Sequence, residues 1–355
     1  MMKQSNIPLG VAVTLVVALV SFYLSSWLGT TVLQYIVSPI STVLVAVLIG
    51  IALRTFFSLP KQMDAGLEFT SKYILRLGII LLGIRLSFYE FVEFGLFSIP
   101  LIITCFLSVL MVIRMCIHFF PISKNMSYLI GIGTAICGVT AIVATSPVIQ
   151  AKKEEVAYAI ANITLFGIFA MLVYPFVAHW LFPESNLAIG LFLGTALHDT
   201  TQATGAALIY SEQFGNSEVV NVTVVTKLIR NTFLIILIPL IAMMHRGNKK
   251  NSTSFSLSSI FPYFVLGFVA MVILRTLGDS MIGTSSFISK EAWTTIIAVL
   301  KNISEISLTM AMAAMGLLTY VSKLKALGAK PFIVGFVSAL TVGFVSLTYI
   351  HLFIL

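Results

Sequence analysis

The residues of this chain that could do chemistry are polar side chains set inside long apolar runs. His198-Asp199-Thr200-Thr201-Gln202 interrupts the apolar stretch 187–210, with Gly194 and Gly205 around it. An Asp, Lys or Arg at the centre of a membrane helix costs about 2.5–3.5 kcal/mol on insertion scales, so it marks a candidate site. Asp199 is suited to binding a cation or carrying a coupling proton. His198 is a candidate for titration near neutral pH, and Gln202 joins them as an ion-coupling candidate. The plainer reading is that the span ends here in a solvated turn or cap. Lys227, Arg230 and Asn231 lie within the stretch 218–244. Lys227 and Arg230 are three apart and share a helical face. They could neutralise Asp199 or Glu305, attract an anion, or simply snorkel to the interface.

Two further groups carry hydroxyls. Ser304, Glu305, Ser307 and Thr309 follow a polar interruption, Lys301-Asn302-Ile303-Ser304-Glu305, in the stretch 290–322. Ser304 and Ser307 could complete an oxyanion cradle, with Glu305 as counter-charge or proton carrier. A helix N-cap at Asn302 or Ser304 is the alternative. The run Gly131-Ile-Gly133-Thr134-Ala135-Ile136-Cys137-Gly138-Val139-Thr140-Ala141, continuing to Thr145-Ser146-Pro147, mixes glycine, proline, hydroxyl and thiol in a long apolar region. Irregular backbone at membrane depth is tolerated only where it is buried in protein or lines a cavity. The Gly138 region is therefore expected to break a helix, exposing half-helix ends of the kind that bind ions in transporters. Gly133, Thr134, Cys137, Gly138 and Thr140 become substrate-binding candidates. Close helix packing by small residues is the competing explanation. Asn162 reads first as an interhelical hydrogen bond and second as a ligand.

Composition says which elements must position these groups. The 355 residues are 59% hydrophobic and 10% charged, with mean hydropathy +1.05. Soluble domains carry about 25% charged residues. The net charge of +8 is a topology signal here rather than a nucleic-acid footprint. Cys105, Cys116 and Cys137 are scattered and lack C-x-x-C spacing, so neither a disulfide frame nor a metal site is implied. Enzyme signatures are missing: no H-E-x-x-H, G-x-S-x-G, P-loop lysine or dinucleotide fingerprint occurs. The expectation is a non-enzyme without a cofactor, working in the lipid bilayer on a small solute. Assembly as a homodimer is left open.

A span needs about 20 apolar residues. Eleven stretches qualify: 8–28, 39–57, 72–89, 97–117, 128–150, 155–180, 187–210, 218–244, 259–276, 290–322 and 331–354. The fold class is thus all-α and polytopic, a single transporter domain over 1–355. Lys61, Lys124, Arg246, Lys249, Lys250, Lys323, Lys325 and Lys330 fall in alternate loops, which places the N-terminus in the cytoplasm and the C-terminus outside; Lys152, Lys153 and Lys290 go against it. Gly50-Ile-Ala-Leu-Arg54 resembles Gly194-Thr-Ala-Leu-His198, and a similar match links the Arg76 and Arg230 regions. Both pairs lie five spans apart. That register predicts inverted repeats over 39–180 and 187–355 outside an extra N-terminal helix (1–30), with the fifth and tenth stretches as the broken pair. A competing local match sets Gly133–Thr140 against Gly194–Thr201.

At these residues a resemblance emerges. Gly131–Pro147, the following Glu154–Gly167, Leu197–Gln202 and Arg76–Gly83 are similar to segments of a bacterial inner-membrane family classed as sulfate exporters. The resemblance implies kinship in fold with cation:proton antiporters and bile-acid:sodium symporters. It further implies two inverted five-helix repeats, two broken helices crossing near the midplane, and export of a sulfate- or sulfite-like oxyanion, with H+ or Na+ as coupling ion. The runner-up is a cation:proton antiporter using Asp199 with Lys227. The chain departs from the antiporter pattern in having no adjacent pair of aspartates at the crossing.

Overall fold

A computed structural model describes residues 7–28, 41–119, 123–234, 236–237, 240, 263–282, 289–319 and 329–355. Arg246, Lys249, Lys250, Lys323 and Lys325, which weigh in the orientation, lie outside these residues. Every one of the eleven apolar stretches contains helix, and no strand occurs among the described residues. Among the described residues six helices are long and apolar enough to cross a membrane. Their outer faces carry large exposed apolar side chains such as Leu19, Phe169, Trp180 and Phe344. Such a surface belongs in hydrocarbon rather than water. This is a multi-pass membrane protein.

The chain folds as two compact units, each assembled from separated segments. The first comprises Met1–Glu93, Ala207–Asn221 and Tyr263–Ser322. It holds α1 (Ile7–Trp27), α2 (Thr42–Phe56), α3 (Asp64–Phe69) and α4 (Leu75–Leu82), with a π-helical turn at Thr70–Ile74 between the last two. It also holds α12 (Phe264–Met281) and α13 (Lys290–Leu318). Val17, Ala46, Leu67, Ala313 and Leu317 form its core. Glycine allows the close approaches: a Cβ on Gly50 would sit 2.8 Å from the Ala313 carbonyl oxygen of α13. Small residues give membrane helices this proximity where no hydrophobic drive separates protein from lipid. The segment from Lys61 to Arg85 is a succession of helical turns. Asp64 in it forms an ion pair with the buried Arg54.

The second unit comprises Phe94–Ala206, Val222–Pro262 and Lys323–Leu355. It contains most of α5 (Phe88–Phe119), then α6 (Lys124–Ala135), α7 (Val139–Thr145), α8 (Lys153–Leu181) and α9 (Asn186–Ala196). The start of α10 (Thr200–Phe214), most of α11 (Glu218–Thr232) and α14 (Ala329–Phe353) complete it. α14 packs against α6, α8 and α9. Ser123 caps α6 by accepting from Met126 N at 3.1 Å, and its hydroxyl donates to Glu155. Glu155 in turn accepts from Lys152 N at 2.9 Å, so one carboxylate ties the starts of α6 and α8. That fixes the α7–α8 connection despite its exposed Lys153.

Candidate functional site

Two helices of the second unit are broken, and they break at equivalent positions. α6 stops at Ala135 and α7 starts at Val139; α9 stops at Ala196 and α10 starts at Thr200. The local match of Gly133–Thr140 with Gly194–Thr201 therefore places Ala135 on Ala196 and Val139 on Thr200. The broken pair is the fifth and seventh stretches, not the fifth and tenth.

The first break has a backbone cause. Gly138 has φ +62° and ψ −119°, a conformation that side chains strongly disfavour. The last four carbonyls of a helix have no partner within it, and at α6 all four are satisfied. Ile132 O accepts from Ile136 N at 3.2 Å, and Gly133 O from Gly138 N at 2.9 Å. Thr134 O and Ala135 O accept from the Arg230 guanidinium, the latter at 2.7 Å.

The second break contains no glycine and is held by side chains. Asp199 caps α10, with its Oδ1 accepting from Thr201 N at 2.9 Å. Gln202 Oε1 accepts from Asp199 N at 3.3 Å, and its amide donates to Thr164 O at 3.4 Å. Upstream, Arg230 donates to Thr195 O at 2.5 Å and Leu197 O at 2.9 Å. Lys227 donates to Leu197 O at 2.7 Å and His198 O at 2.8 Å. Asn231 reaches Thr200 Oγ1 at 3.0 Å. The guanidinium thus joins the C-terminal ends of α6 and α9, where the helix dipole concentrates negative potential. Its planar fork suits several acceptors at once. Neither cation snorkels: Lys227 is 0% exposed and Arg230 1%.

The breaks touch each other. A Cβ on Gly138 would lie 3.1 Å from Asp199 Oδ2. His198 is buried, and its Nδ1 has no hydrogen-bond partner among the described residues. Cys137 is buried beside the first break, while Thr140 is exposed. Gly133 packs on Ile142 and Ile163, and the Thr134 hydroxyl donates back to Ile130 O at 2.9 Å. These two residues shape α6. Among the described residues no group of His, Cys, Asp and Glu could hold a metal ion.

The remaining candidates lie elsewhere. Asn162 is fully buried, with its side chain against Gly335 where α8 meets α14. The polar interruption at 301–305 does not break its helix, because α13 runs unbroken from Lys290 to Leu318. It has neither glycine nor proline there. The Ser304 hydroxyl donates to Gly78 O of α4 at 2.7 Å, Ser307 packs against Gly78, and Glu305 pairs with Arg85. All of these belong to the first unit. Arg85 and Thr195 are the residues the sequence reading missed. Arg85 carried a signal, being an arginine near the end of the apolar stretch 72–89. Thr195 acts through its carbonyl and carried none.

Comparison with known proteins also points to a membrane protein. A family model described as conserved hypothetical protein 698 matches residues 9–335. A UPF0324 membrane protein of Streptococcus agalactiae serotype V is 35% identical, over 91% of this chain and 92% of its own length. One from Streptococcus pneumoniae strain R6 is 32% identical, over 87% and 86%. Another, from Fusobacterium nucleatum, is 31% identical over 85% and 88%. With matches that span nearly all of both partners, the chain belongs to the UPF0324 family of membrane proteins.

Proposed function

We propose that this protein is a secondary transporter of the bacterial cell membrane that moves a small anion, of sulfate or sulfite type, outward by alternating access. The observation that carries the reading is the charge balance of the double break. Two fully buried cations, Lys227 and Arg230, are accompanied by one carboxylate, Asp199. Their N–H groups are largely taken by carbonyls, so they act as fixed positive charge rather than as direct ligands. In a site of low dielectric that excess favours an anionic occupant. Hydrogen bonds to the solute would come from the start of α10, where Thr200 and Thr201 lie beside Asn231, and from His198. Irregular backbone near a membrane site is a recurrent transporter device. Ser304 and Ser307 drop out of the cradle, since both serve the packing of α13 on α4.

A second reading, cation:proton antiport, draws on the position of Asp199, which lies in electrostatic range of Lys227. In that case the carboxylate would exchange a cation for a proton while Lys227 supplies the alternate charge. Purified protein in liposomes separates the two. Sulfite or sulfate efflux that needs no cation supports anion transport. Sodium- or potassium-driven proton flux that disappears in Asp199→Asn supports antiport and removes the anion reading. Turnover of a lipid-linked compound in detergent, with no gradient, would remove both.

A further inference from the structure

Away from the double break, the end of α5 and the start of α6 enclose a groove of about 720 Å³. Arg114 and His118 line it from α5, Lys124 and Tyr128 from α6. Each pair is spaced four apart, so each presents one helical face. Met111 and Met115 form an apolar wall and are 67% and 49% exposed. Among the described residues no carboxylate lines the groove. The nearby Glu155 is engaged by Ser123 and Lys152 N, and neither Arg114 nor Lys124 has an ion-pair partner among the described residues.

We propose that this groove binds an anionic phospholipid, with its phosphate between Arg114 and Lys124 and an acyl chain along Met111 and Met115. Charge complementarity selects the headgroup, because two cations meet no acid. The apolar wall selects a lipid over a soluble phosphate. Methionine, unbranched and polarizable, accommodates a chain of variable shape. Tyr128 matches the headgroup level, where amphipathic rings gather. Positive-inside placement of Lys124 puts the groove in the cytoplasmic leaflet. Basic pockets between membrane helices on that side hold acidic headgroups.

The test uses the full-length protein, delipidated in detergent and exposed to equal amounts of phosphatidylglycerol and phosphatidylcholine, with retained lipid counted by native mass spectrometry. Phosphatidylglycerol should be retained over phosphatidylcholine by about fivefold or more. The preference should vanish in the double variant Arg114→Gln/Lys124→Gln and survive Lys124→Arg. High salt should weaken it in the unaltered protein, a readout that depends on no variant. Equal retention of the two lipids overturns the proposal and leaves Arg114 and Lys124 as interface anchors. So does a preference that survives the double variant. Displacement by inorganic phosphate as effective as that by phosphatidylglycerol would also overturn it, by showing a soluble-anion site instead.

Discussion

Thr134 and Thr195 offer their main-chain carbonyls to the same guanidinium, that of Arg230. They occupy the same place in the two matching stretches, one residue before the end of α6 and of α9. Arg230 is therefore the piece that keeps two interrupted helices in register. Arg230→Lys keeps the charge but replaces a planar fork with a point charge of three donors. Each buried carbonyl left without a donor costs about 1–3 kcal/mol. The variant should melt well below the unaltered protein in detergent and lose transport. Arg230→Lys with unchanged melting and full flux would remove this role.

Gly138 and Gly215 both have positive φ, +62° and +76°. A Cβ is disfavoured at both, and more strongly at Gly138, whose ψ of −119° lies outside the left-handed helical region. Their surroundings differ. Nothing lies within 4 Å of a Cβ at Gly215, whereas at Gly138 it would meet Asp199. Gly215→Ala should lower stability modestly and leave flux intact. Gly138→Ala should lower stability more and also abolish flux by displacing the Asp199 carboxylate. Equal flux from the two variants would show that the contact of the two breaks has no part in transport.

The sequence reveals the helices because a membrane span must satisfy its own backbone over about 20 apolar residues. Gly138 is legible as a break for a local reason, its backbone conformation. The second break is only half legible. Asp199 is visible as a polar interruption, but what holds the chain open is Lys227 and Arg230 reaching across from α11. Charge in an apolar run is ambiguous by itself. At 301–305 the same signal belongs to an intact helix, because Ser304 and Glu305 are satisfied by Gly78 and Arg85 from other helices. The inverted register is attractive because it pairs two polar interruptions. The competing local match is the one whose ends coincide with helix ends.

Glu305 and Asp199 should respond differently to loss of charge. The Glu305 side chain is 48% exposed and its partner Arg85 11%. A half-exposed ion pair contributes about 0–1 kcal/mol, so Glu305→Gln should leave melting and flux nearly unchanged. Asp199 caps α10 and faces the first break, so Asp199→Asn should retain much of the cap while abolishing transport. If Glu305→Gln abolishes flux with the fold intact, the first unit carries an ion-coupling residue after all.

Packing in the first unit gives a prediction independent of transport. α2 and α13 meet at Gly50 and Gly316, where a Cβ on Gly50 would lie 2.8 Å from Ala313 O and Leu317 N. Both obstacles are backbone, which cannot rotate aside as a side chain does. Gly50→Val must therefore push the helices apart, exposing the core of Ala46, Ala313 and Leu317. Overpacking of this kind costs about 1–3 kcal/mol, and more where the backbone has to shift. Gly95 offers the comparison, since its nearest obstacle is the tip of Ile229, a side chain that can move. Gly50→Val should yield little folded protein and a lowered melting temperature, while Gly95→Ala should be close to unaltered. Equal yields would mean that the α2–α13 contact is looser than its glycines imply.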